Sequence, residues 1–122
     1  MAHKVLIADD DVVTRKVLHK ALSNAGYWVL LASDGLRAKA MMDDNPEIDL
    51  LITDVLMPGL DGRELVQSLR QDPRFEQLPM IIMSATVSIR EINNLLELGA
   101  SRFLAKPVSP SLLQRELMAL FA

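Results

Sequence analysis

Val5-Leu6-Ile7-Ala8-Asp9-Asp10-Asp11 is an apolar run that ends in three adjacent carboxylates. Four apolar residues without alternation read as a strand covered on both faces, the form strands take in parallel sheets. Side-by-side carboxylates at its end put uncompensated negative charge at one edge of that sheet, and like charges this close repel. Something positive must hold them there. The sequence offers two candidates, a hard divalent cation and a lysine arriving from far along the chain. Leu50-Leu51-Ile52-Thr53 likewise ends in an aspartate, Asp54, and Phe103-Leu104-Ala105 ends in Lys106-Pro107. Carboxylates and a lysine at the ends of separate strands point to phosphoryl transfer.

Outward from these runs the rhythm is apolar run, then amphipathic stretch, five times over. Strands are predicted at Val5–Ala8, Trp28–Ala32, Leu50–Thr53, Met80–Met83 and Phe103–Ala105, all buried on both faces. In the first intervening helix Val13, Val17, Ala21 and Leu22 share one face at helical spacing. Asp11 or Thr14 caps its start and Gly26 ends it. Further helices are predicted near Gly35–Asp43, Arg63–Arg70, Ser88–Leu98 and Ser111–Phe121, with Asp72-Pro73 and Leu78-Pro79 marking a loop. Strand–helix alternation implies an α/β fold with a parallel sheet, right-handed crossovers and helices on both faces. The functional crevice of such a sheet lies at the carboxyl ends of its strands, where every residue named above falls. The pattern leaves the strand order open.

The 122 residues carry a net charge of -3, half of them are apolar and none is cysteine. Disulfide and thiolate chemistry are excluded, and a general attraction to nucleic acid is not expected. No apolar stretch approaches the ~18 residues of a membrane span. Met1-Ala2-His3-Lys4 runs straight into a strand without a visible signal peptide, so a cytoplasmic protein is the simplest expectation.

Four motifs in order carry a resemblance. They are Asp9-Asp10-Asp11 after the first strand, Asp54 followed by Met57-Pro58 and Asp61-Gly62, Ser84-Ala85 after the fourth strand, and Lys106-Pro107 after the fifth. The chain resembles the receiver domain of two-component response regulators over essentially its whole length, residues 1–122. The resemblance implies a flavodoxin-like, doubly wound five-stranded sheet in the order 2-1-3-4-5, with five helices. It implies Asp54 as the acceptor of a phosphoryl group from a phosphohistidine, and Mg2+ held directly by Asp10, Asp54 and the Leu56 carbonyl, with Asp9 acting mainly through water. Lys106 and Ser84 are the implied contacts to the phosphoryl group, with a cis peptide before Pro107. Phe103 takes the position of the family's switch aromatic. The implied partners are a sensor histidine kinase or histidine phosphotransfer protein and an output domain or target. The implied output surface is the fourth helix, fifth strand and fifth helix. Nucleic acid is not contacted directly and no membrane is involved. A phosphorylation-dependent dimer stays open; Ser101-Arg102 before Phe103 depart from the acidic pairing common in the family. The protein counts as a phosphoacceptor that catalyses its own phosphorylation and dephosphorylation rather than as an enzyme.

Each role has a plainer competitor. Asp11 reads as a helix cap, Asp61 as a turn and helix start outside the site, Trp28 as strand packing, and the methionines as core filler. His3 and His19 lack metal spacing and read as a terminal and a helix residue. In the last helix Leu113, Leu117, Leu120 and Phe121 make one core stripe, with Leu112 and Met118 partly off it. Leu56 and Thr86 are expected at the mouth of the site, where neither offers a group that guides an attacking water.

Three rival functions use similar parts. A haloacid-dehalogenase-like phosphatase needs a second acid two residues after its nucleophile, where Leu56 stands. A flavodoxin needs a hydroxyl-rich phosphate loop, and Asp9-Asp10-Asp11 would repel the phosphate. A phosphorylation-independent pseudo-receiver would have lost the acidic cluster. The chain ends about where a receiver ends, which fits either a single-domain regulator or a receiver from a longer protein.

Overall fold

The strands form because each apolar run pairs with at least one other, the inner three with two. A computed structural model describes residues 2–85 and 88–122. Its elements are β1 (Lys4–Ala8), α1 (Val12–Asn24), β2 (Trp28–Ala32), α2 (Gly35–Asp44), β3 (Leu50–Asp54), α3 (Gly62–Arg70), a short 3-10 turn (Pro73–Phe75), β4 (Met80–Ser84), α4 (Ile89–Glu97), β5 (Arg102–Ala105) and α5 (Pro110–Leu120). All neighbouring strands are parallel, in the order β2-β1-β3-β4-β5. This is the flavodoxin-like order, and it places the reversal of strand order between β1 and β3.

Alternate residues of the sheet feed two cores. Val5, Ile7, Leu50, Ile52, Ile81 and Met83 pack under Leu18 and Leu22 of α1 and Leu113 and Leu117 of α5. Leu6, Leu51, Met80 and Ile82 pack under Ala38 and Met42 of α2, Leu65, Val66 and Leu69 of α3, and Leu95 of α4. Each fully buried aliphatic side chain stabilises the fold by about 1.5–3 kcal/mol before entropy is counted.

The helix caps follow from the sequence. Asp11 accepts from the Val13 amide and the Thr14 hydroxyl. Asp61 and Glu64 form a reciprocal capping box at the start of α3. Gly26 closes the end of α1 at φ 97°.

Five expectations are corrected. The central strands β3 and β4 are buried throughout, but β2 and β5 are edge strands and only partly buried. Trp28 is 58% exposed, with Lys4 Nζ 4.7 Å above its ring, so it is not interior packing. In α1 the buried stripe is Leu18 and Leu22; Val13 and Val17 face outward. Met118 is exposed, so not every methionine fills the core. In α5 Leu113 and Leu117 are buried, whereas Leu120 and Phe121 are only partly so, and Phe121 stacks on the His3 ring.

Candidate functional site

Register brings the strand ends together. Ala8 pairs with Thr53, so Asp9 and Asp54 follow each other across β1 and β3. Asp54 pairs with Met83 and Ser84 with Ala105, which sets Ser84 and Lys106 at the same edge. The Lys106 amide donates to the Ser84 carbonyl at 2.9 Å, and the Lys106–Pro107 peptide is cis as expected. From there the Lys106 side chain reaches back over the sheet.

Lys106 Nζ lies 3.0 Å from both Asp9 Oδ2 and Asp54 Oδ2. Asp9 is fully buried, and its other oxygen accepts from the Asp11 amide at 2.9 Å. Asp10 is exposed. Carboxylate oxygens of Asp9, Asp10 and Asp54 nevertheless lie within 4.8 Å of one another. A cluster of hard, anionic oxygens open on one side fits a hard divalent cation such as Mg2+, which keeps several waters. Ser84 is buried at the end of β4. Phe103 on β5 is half-buried against the core that α2, α3 and α4 cover. The Leu56 side chain is 71% exposed at the mouth. Thr86 lies outside the described residues.

The loop carrying Leu56 is tightly held. The Val55 amide donates to the Met83 carbonyl at 3.0 Å, and the Gly62 amide to the Val55 carbonyl at 2.8 Å. Two glycines admit it. A Cβ on Gly35 would overlap the Leu60 carbonyl, and one on Gly62 would overlap the Asp54 carbonyl oxygen.

The electrostatics follow from burial and pairing. Burial raises the Asp54 carboxyl above its ordinary value; the hydrogen bond from Lys106 opposes this and the charge of Asp9 adds to it. Burial pulls Lys106 down, but its hydrogen bonds to Asp54 and Asp9 outweigh that, so it titrates above the ordinary lysine range. A cation is thus fixed against two carboxylates, one of them made more basic. Asp11 has its pKa lowered by the Thr14 hydroxyl and Val13 amide, in line with a cap rather than a member of the site.

One contact had no counterpart in the sequence reading. Arg15, on α1, donates from Nη1 to the Asp9 carbonyl at 2.6 Å. Its position four residues after Asp11 was the only available signal.

The comparisons agree with this geometry. The family described as the response regulator receiver domain matches residues 5–118. Chemotaxis protein CheY1 of Helicobacter pylori is 34% identical over 115 residues, 93% of either chain. The structure of the chemotaxis response regulator CheY4 of Vibrio cholerae superimposes with a TM-score of 0.92 at 30% identity, covering 98% of both chains. The CheY of a Borrelia burgdorferi CheX-CheY-BeF3-Mg complex gives 0.91 at 27% identity, covering 98% of this chain and 90% of that one. The chain belongs to the response regulator receiver domain family. Its function is that of a phosphoacceptor in two-component signalling, and the phosphatase, flavodoxin and pseudo-receiver readings are not favoured. Among the described residues no helix is long and apolar enough to cross a membrane.

Proposed function

We propose that Asp54 is the phosphoacceptor, and that Asp10, Asp54 and the Leu56 carbonyl hold Mg2+ directly while Asp9 acts through water. The observation that carries this reading is the single ammonium of Lys106 placed 3.0 Å from both Asp9 and Asp54. Both oxygens of Asp9 are already engaged, by Lys106 and by the Asp11 amide, which supports an indirect role for it. Asp10 is exposed and free to turn to a cation. When bound, Mg2+ would supply positive charge that offsets the repulsion between the acceptor carboxylate and the phosphoryl group.

In the transfer an Asp54 oxygen forms the new bond to phosphorus as the phosphorus–nitrogen bond of the donor histidine breaks. The released imidazole nitrogen takes up a proton. Lys106 stays in place and donates to a phosphoryl oxygen, and the Ser84 hydroxyl donates to another. Both then report the phosphoryl group to β4 and β5, where Phe103 is the switch residue and α4, β5 and α5 form the output surface. Leu112 and Met118 leave apolar area on that surface, at 37% and 68% exposure. Self-catalysed phosphorylation and dephosphorylation belong to this reading.

The donor is a sensor histidine kinase or a histidine phosphotransfer protein. Exposed Val13 and Val17 of α1 line, with Pro107 and Val108, an apolar cleft of about 180 Å³ beside Lys106, a surface suited to such a donor. A phosphorylation-dependent dimer is compatible with the surface. A cytoplasmic setting without membrane contact belongs to this reading, and the net charge of -3 goes with a lack of direct nucleic-acid contact.

The test is intact-mass analysis after incubation with Mg2+ and a small acyl phosphate. Wild type gains one phosphoryl mass and Asp54→Ala gains none. Equal labelling of the two proteins rejects Asp54.

A further inference from the structure

We infer that Arg15 is a positioning residue for the cation site: it holds the peptide plane that carries Asp10. The inference rests on the proposed Mg2+ ligands. The Asp9 carbonyl belongs to the peptide unit joining Asp9 to Asp10, and its rotation sets the direction in which Asp10 leaves the strand. The Asp9 amide on one side donates to Ala32 at 3.1 Å, completing the β1–β2 ladder. Among the described residues no backbone amide donates to that carbonyl; Arg15 Nη1 does, at 2.6 Å. Arg15 is itself fixed by its place in the first turns of α1, where its amide donates to the Asp11 carbonyl at 3.1 Å. The turn from Asp9 to Asp11 is therefore clamped by the helix that follows it. Asp10 is exposed, so its direction is set by the backbone beneath it.

This role and a purely electrostatic one have opposite signs. Arg15 is a cation bonded to the backbone of the acidic turn. If it acted only through its charge it would repel Mg2+, and its removal would tighten metal binding. As a clamp on the Asp9–Asp10 peptide it pre-organises a ligand, and its removal weakens binding. Partners that orient metal ligands are commonly worth about 10–100-fold in affinity.

The experiment titrates Mg2+ into wild type, Arg15→Met, Arg15→Lys and Asp10→Ala at fixed ionic strength, followed by amide NMR shifts. Arg15→Met keeps the apolar stem and loses the donor; its Kd for Mg2+ is expected to rise about tenfold. Its phosphorylation by a small acyl phosphate is expected to be slow at limiting Mg2+ and to approach the wild-type rate at saturating Mg2+. Arg15→Lys keeps a charged donor and is expected within about threefold of wild type. An unchanged or tighter Kd in Arg15→Met overturns the inference, as does a loss in Arg15→Lys equal to that in Arg15→Met. If Arg15→Met does not fold, Arg15→Gln replaces it with the same deciding outcomes. Wild type that binds no Mg2+ overturns the cation site and this inference together. Wild type that binds, with Asp10→Ala impaired and Arg15→Met normal, overturns this inference alone.

Discussion

Gly62→Ala is expected to damage stability and phosphoryl transfer together. Gly62 is the first residue of α3, buried against the end of β3. An added Cβ would overlap the Asp54 carbonyl oxygen and lie 2.9 Å from Val55 Cα. Both obstacles are backbone, so no side-chain rotation relieves the overlap. The start of α3 must lift, loosening Leu65, Val66 and Leu69, each now buried. Overpacking of this kind costs about 1–3 kcal/mol, and the gain in helix propensity offsets less than ~1 kcal/mol of it. A net loss of about 2 kcal/mol is expected. With an unfolding entropy of roughly 2.1 cal/mol/K per residue, each kcal/mol is worth about 4 °C in a chain of this size, so Tm falls by about 8 °C. Displacement of Asp54 from its position near Lys106 is expected to slow phosphorylation by about 10–100-fold. Thermal unfolding and timed labelling with a small acyl phosphate measure both quantities. Gly26→Ala is the control: it has positive φ and nothing within 4 Å of the new Cβ, so it tests backbone strain without crowding. It is expected to lower Tm modestly and leave the labelling rate intact. Gly62→Ala with a Tm within about 2 °C of wild type and normal labelling would refute the crowding argument.

Two other outcomes follow from the site. Because burial raises Asp54, the folded chain holds that proton more tightly than the unfolded chain, and stability is lost as pH rises from the unfolded carboxylate range through the folded pKa. In Mg2+-free buffer Asp54→Asn should therefore be more stable than wild type at pH ~7.5, by about 0.5–2 kcal/mol, and show little gain below the carboxylate range; an equal shift at both pH values would contradict the assignment. Leu56 is exposed and apolar at the mouth, so Leu56→Asn, which can orient a water, should shorten the lifetime of the aspartyl phosphate, each ~1.4 kcal/mol of barrier giving about tenfold; an unchanged decay under the same Mg2+ would remove Leu56 from control of water access.

The site was more legible than the packing. Asp9, Asp54, Ser84 and Lys106 stand at the ends of apolar runs, and a parallel sheet brings such ends to one edge whatever surrounds them. Trp28–Ala32 matches β2, and the other four runs were each read one residue short. Asp54 and Ser84 extend the ladders of β3 and β4, although both residue types are poor strand formers in isolation. In α1 two apolar stripes lie side by side, Val13–Val17 and Leu18–Leu22, and periodicity cannot say which one faces the sheet. The approach of the helix to Ile7 and Leu50 decides it, and that is a tertiary fact. Trp28 misled for a similar reason: an edge strand and a central strand can share one composition, and only the resemblance, not the residue pattern, set the strand order. The Arg15 contact was invisible because its acceptor is a backbone carbonyl, which no residue type announces.

Lys106 is 97 residues from Asp9 and 52 from Asp54, and it arrives on the last strand of the sheet. During synthesis the chain therefore carries its carboxylates long before it carries their counter-cation. On the proposed roles of Asp54 and Lys106, a nascent chain holding only β1 to β4 has the acceptor aspartate without the ammonium that receives a phosphoryl oxygen. On the proposed assignment of Lys106, competence to receive a signal waits until β5 docks on β4 and returns Lys106 to Asp9, a closure over 97 residues. On that reading, phosphate on this protein also certifies a completed fold.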